Sequence, residues 1–126
     1  MSLDIRVEKK ANYAYTVVLE GSIDVDTQEQ LEEELKEIIN ENTRAIILDM
    51  AGVDYISSIG IRVVFWAKKE LHKKNASFAM TNLQPQIKKV FEIMRILPMI
   101  DIFDDMPEAD KYIDQIIKDE TKKQNP

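Results

Sequence analysis

Ala45-Ile46-Ile47-Leu48-Asp49-Met50-Ala51-Gly52-Val53-Asp54-Tyr55-Ile56-Ser57-Ser58-Ile59-Gly60-Ile61-Arg62-Val63-Val64-Phe65-Trp66 reads as strand, loop and helix start in immediate succession. An apolar run of strand length comes first and a turn containing Gly52 follows. Two serines then open a segment whose apolar residues recur at helical spacing. In an open α/β sheet, the carboxyl end of a strand and the amino end of the next helix are where function usually sits.

Ser57 and Ser58 have two readings. As an N-cap, either hydroxyl accepts from backbone N–H groups that lack a partner in the first helical turn. As a phosphoryl acceptor, the hydroxyl sits where free N–H donors and the positive end of the helix dipole favour a phosphate. The cap preference alone favours the first reading, and position is compatible with both.

At ~100° per residue, the helix after Ser58 collects Gly60, Val63, Val64, Ala67 and Leu71 on one side, with Ile61 and Phe65 extending the arc. Ile59, Arg62, Trp66, Lys69 and Glu70 fall opposite, so an isoleucine and a tryptophan share the charged face. A lone surface aromatic packed over a neighbouring loop needs no functional explanation. Trp and Arg together, however, are what protein partners anchor on. Ile59, Arg62 and Trp66 are expected to form part of a docking face beside Ser58.

The 126 residues suit one domain. Their 44% hydrophobic content is enough to fill a core. A formal net charge of −6 argues against a nucleic-acid groove. The chain has no cysteine and a single histidine, His72, which leaves no disulfide, no thiol nucleophile and no multi-histidine metal site. No nucleophile-base pair is visible at the serine loop, so an enzyme is not expected, nor a metal or cofactor. No apolar run approaches the ~18 residues of a membrane span, and the expected location is the cytoplasm.

Leu3 to Val7 alternates weakly as a first edge strand, with a turn around Lys9 to Asn12. Tyr13 to Glu20 is apolar on both faces and ends at Gly21. Asp26 with Glu29, and Thr27 with Gln30, stand in capping-box register at the start of a helix whose stripe is Leu31, Leu35, Ile38 and Ile39. Asp24, in the preceding loop, reads first as a turn or cap carboxylate. Ser77 to Thr81 is a strand, and Pro85 opens a helix with Ile87, Val90, Phe91 and Met94 inward. After the break at Leu97-Pro98, Met99 to Phe103 forms a short strand. Asp105-Met106-Pro107 then opens a last helix that buries Ala109, Tyr112, Ile113, Ile116 and Ile117. The pattern predicts a single α/β domain over 1–118, a mixed sheet of about five strands with about four helices packed on one face. A polar, frayed tail over 119–126 follows.

Leu48-Asp49-Met50-Ala51-Gly52-Val53 followed by Tyr55-Ile56-Ser57-Ser58-Ile59-Gly60-Ile61 resembles the strand-loop-helix signature of the STAS family, the anti-sigma-factor antagonists and the cytoplasmic domains of sulfate transporters. Gly21-Ser22-Ile23-Asp24 is similar to that family's motif after its second strand, and Leu97 to Phe103 to its closing strand. Ser57 stands where many members have Asp, Ile59 where they have Ser, Thr or Ala, and Ala51 where they have a small hydroxyl residue. The resemblance implies a STAS-like mixed sheet and a phospho-switched binding module. In such a module Ser58, with Ser57 as the alternative, is the residue that a partner kinase phosphorylates. Asp24, Ser57, Ser58, Ile59, Gly60, Arg62 and Trp66 would contact an anti-sigma factor with serine kinase activity, and a serine phosphatase would restore binding. The alternative is a STAS accessory subunit of a transport or stress-sensing assembly that is never phosphorylated.

Overall fold

The computed structural model describes residues 2–124, with side chains through Lys118. Its elements are β1 (Leu3–Ala11), β2 (Ala14–Ile23), α1 (Gln28–Ile38), β3 (Ala45–Ile56), α2 (Ser58–Lys73), β4 (Ser77–Thr81), α3 (Pro85–Ile93), a 3-10 turn (Leu97–Met99), β5 (Asp101–Phe103) and α4 (Met106–Gln124). The five strands lie side by side in chain order, β1 antiparallel to β2 and every later pair parallel. The mixed sheet and four helices match the expectation.

Alternation along the central strands divides the interior in two. Val17, Leu19 and Ile23 of β2 and Ile46, Leu48 and Met50 of β3 face α1, α2 and α3, which contribute Leu31, Leu35, Val64, Ala67, Leu71, Ile87 and Phe91. A buried Leu, Ile or Phe side chain contributes about 1.5–3 kcal/mol, and this cluster is where most of the fold's apolar burial lies. Ala14, Ala45, Ile47 and Ala79 point the other way and meet Ala109 and Ile113 of α4. The expectation that all helices pack on one face is therefore corrected: α1, α2 and α3 share one face and α4 covers the other. Each of the first three links two parallel strands that advance in one direction across the sheet, and crossovers of one hand put such helices on one side. α4 follows the edge strand β5 and folds back over the row of alanines.

Inside that second layer Tyr112 donates to the Asp101 carboxylate at 3.0 Å and packs against Phe103 with ring centroids 4.9 Å apart and planes tilted by 43°. Burial raises the Tyr112 phenol above its ordinary value; the bond to Ser77 opposes this and Asp101 adds to it. The expected inward residues of α4 are all in this cluster or against it, and Asp105 accepts from the Glu108 amide at 3.0 Å as its cap. The expected domain limit at residue 118 falls within α4, and the tail expected over 119–126 concerns side chains and, at 125–126, backbone outside the described residues.

Four boundaries differ from expectation, one being the short closing strand, which begins at Asp101 because Met99 belongs to the 3-10 turn Leu97–Met99. β1 continues past Val7 to Ala11, and the chain reverses at Asn12 and Tyr13, with Tyr13 at φ 68°. β2 does not end at Gly21; it runs on to Ile23, with Gly21 at φ 122°, a value at which an L side chain is strained. β3 does not turn at Gly52. It stays paired to β2 through Ile56, taking up extra residues between the partners of Val18 and Glu20 and again between those of Gly21 and Ser22. These bulges absorb a turn-like composition without ending the strand.

Candidate functional site

The parallel run of β2 and β3 brings the loop after Ile23 and the start of α2 to one end of the sheet. The Ser57 amide donates to the Ile23 carbonyl at 2.8 Å, so the helix begins on the end of β2. Gly60 permits this approach, because a Cβ there would lie 2.7 Å from Ile23 Cγ2 and 2.9 Å from the Ile23 carbonyl oxygen.

The two serines divide the two readings between them. Ser57 is the N-cap: its hydroxyl accepts from the Gly60 amide at 3.2 Å and its carbonyl from the Ile61 amide at 2.9 Å. Ser58 is the first helical residue and is exposed. The first N–H groups of a helix have no intrahelical acceptor, so the Ser58 hydroxyl stands among donors without being needed to satisfy them. Ser57→Ala should lower stability by about 1 kcal/mol and leave Ser58 in place. Urea unfolding of both serine-to-alanine variants checks this, and equal losses would show that the cap is shared.

Asp24 is turned inward. Its Oδ1 accepts from the amides of Asp26 at 2.9 Å and Thr27 at 3.2 Å, and the residue is 9% exposed. Thr27 completes the knot, accepting from the Asp24 amide at 3.0 Å and donating to the Ser22 carbonyl at 2.7 Å. That hydroxyl closes the loop behind it and makes no cap bond within α1, so the capping box expected between Thr27 and Gln30 does not form. Asp24 thus shapes the loop that meets Ser57. What the loop offers outward is Val25, 68% exposed, and the neighbouring end of β3 offers Tyr55, 49% exposed. Neither was a candidate from sequence, although an unpaired apolar residue in a polar loop was the available sign for Val25.

Ile59, Arg62 and Trp66 do come together. With Val63 they form one wall of a groove of about 250 Å³ whose other wall is Gln28 and Glu32 of α1. Trp66 is half-buried rather than free on a charged face: it packs against the main core, and the Lys36 ammonium lies 5.7 Å from its ring centroid. It closes the seam between α1 and α2, a helix rather than a loop being what it packs against. Spacing along α1 gives no reason to single out Glu32, because the register of α1 against α2 is a tertiary property.

A buried carboxylate-threonine knot, an exposed serine at a helix start and a shallow groove beside it thus lie together at one end of a small α/β domain. The STAS domain family matches residues 4–109, and the chain belongs to that family. BtrV of Bordetella bronchiseptica, named as an anti-sigma factor antagonist, is 34% identical over 84 residues, 67% of this chain and 72% of BtrV. The anti-sigma factor antagonist SpoIIAA in its unphosphorylated form superposes with a TM-score of 0.74 at 19% identity, covering 86% of this chain and 96% of that one. The phosphorylated form of the Bacillus cell-fate determinant SpoIIAA gives 0.69 at 19% identity, covering 86% and 99%. At that identity the likeness is one of fold. No helix among the described residues is long and apolar enough to cross a membrane.

Proposed function

We propose that this chain is an anti-sigma-factor antagonist of the cytoplasm, a binding module that docks on an anti-sigma factor and so frees a sigma factor. The partner is itself a serine kinase; it phosphorylates Ser58 and the complex separates, and a serine phosphatase resets the surface. The observation that carries this reading is the exposure of the Ser58 hydroxyl at the first position of α2, with Ser57 already serving as the cap. The names of the curated relatives support it over the transport-linked alternative. The docking surface comprises Ser58, Ile59, Arg62 and the exposed edge of Trp66, with Val25 and Tyr55 beside them. Asp24, Ser57 and Gly60 hold it in shape.

Incubation with ATP and the anti-sigma factor encoded nearest to this chain tests the assignment. Phosphate is expected on Ser58, lost in Ser58→Ala and retained in Ser57→Ala. Phosphate mapped to Ser57 alone, or to neither serine, refutes it.

A further inference from the structure

We propose that Arg62 clamps the phosphate carried on Ser58, so that phosphorylation dismantles the docking groove as well as charging its edge. This rests on the phospho-switch reading above. Ser58 and Arg62 are both exposed on α2, four residues apart. Side chains at that spacing stand one above the other, with Cβ atoms about 5–6 Å apart. Among the described residues the Arg62 side chain makes no hydrogen bond or ion pair, although it shares its groove with Glu32.

Its position is otherwise a poor one for a cation. The second turn lies near the positive end of the helix dipole, and the first turn of α2 carries no acidic residue to offset it. From Ser58 through Ala67, Arg62 is the single charged side chain. A phosphoserine at 58 supplies the missing anion: roughly 1.5–2 negative charges and three acceptor oxygens, a match for the guanidinium fork. Competing carboxylates are few. Ser57 stands beside Ser58 where an acid would compete, the Asp24 carboxylate is held by loop amides, and the Asp54 carboxylate accepts from the Ser22 hydroxyl at 3.0 Å. Asp26 on the loop and Glu32 on α1 remain as opposing charges.

The clamp has a consequence for docking. Drawn up to Ser58, the guanidinium leaves the wall it shares with Ile59 and Trp66, so a carboxylate of the partner seated there loses its counter-ion when the phosphate appears. Phosphorylation then acts at both ends of the surface.

The test places phosphoserine at 58 during translation, with no kinase involved, and follows its second ionisation by 31P NMR in the full chain and in Arg62→Gln and Arg62→Lys. Asp24, Asp26, Glu32 and Asp54 are common to all three proteins, so differences report the substitution. The phosphate of the parent should titrate about half a unit to one unit below that of Arg62→Gln, a roughly three- to tenfold change in proton affinity. Arg62→Lys should fall between them, and about 1 M salt should narrow the gap. Identical titrations in the parent and Arg62→Gln overturn the proposal. Because no kinase is used, a clamped phosphate in a chain that no kinase modifies would uphold the clamp and refute the switch.

Discussion

Replacing Ser58 with aspartate is expected to weaken binding to the anti-sigma partner by about 100-fold or more, since like charges brought together across an interface cost several kcal/mol. The side chain at this position is exposed, and a negative group at a helix start is favourable within the fold. The melting temperature should accordingly stay within a few degrees of the parent. Ser58→Ala, which removes the hydroxyl without adding charge, should bind as the parent does. Isothermal titration with the purified partner separates these cases. Parental affinity in the aspartate variant, in a protein that melts normally, removes the switch from Ser58.

Gly60→Ala should do the opposite and act on the fold first. The added methyl gains about 1 kcal/mol of helix propensity. Against this, its carbon would lie 2.7 Å from Ile23 Cγ2, 2.9 Å from the Ile23 carbonyl oxygen and 2.9 Å from Ile56 Cγ1. Side chains shift to relieve such contacts, but a backbone carbonyl that also accepts from the Ser57 amide does not shift independently. Overpacking of this kind costs about 1–3 kcal/mol and occasionally more, and the rigid neighbour places this site at the upper end. The net expectation is a loss of about 2 kcal/mol, or a melting temperature lower by roughly 5–10 °C. Any surviving folded protein should bind its partner less well, because the start of α2 is displaced from the Asp24 loop. An alanine variant as stable as the parent would show that the helix does not depend on this approach.

Local features were the ones the sequence exposed. Helical spacing located α2 and its buried side, Pro85 and the Asp105 cap marked the last two helices, and five strands were found in order. Misreadings came where neighbours decide the outcome. Gly52 has the composition of a turn, but continued pairing with β2 holds it in a bulged strand. Thr27 has the spacing of a capping box, yet its hydroxyl is taken by the Ser22 carbonyl across the loop. The apolar stripe of α4 was plain, while the sheet face that receives it is a matter of packing on Ala14, Ala45 and Ala79 from three different strands. Within the candidate site, the nearness of Ser58, Ile59 and Arg62 was legible because they lie on one helix. Gln28 and Glu32 were not, because only the packing of α1 on α2 brings them to the same groove.

The tandem serines separate anatomy from signalling. Since Ser57 provides the side-chain cap at the mouth of α2, a change at its exposed neighbour leaves the start of the helix intact. Under the proposed switch, a message written at position 58 would be addressed outward, to whatever protein comes to read it, and erased without refolding.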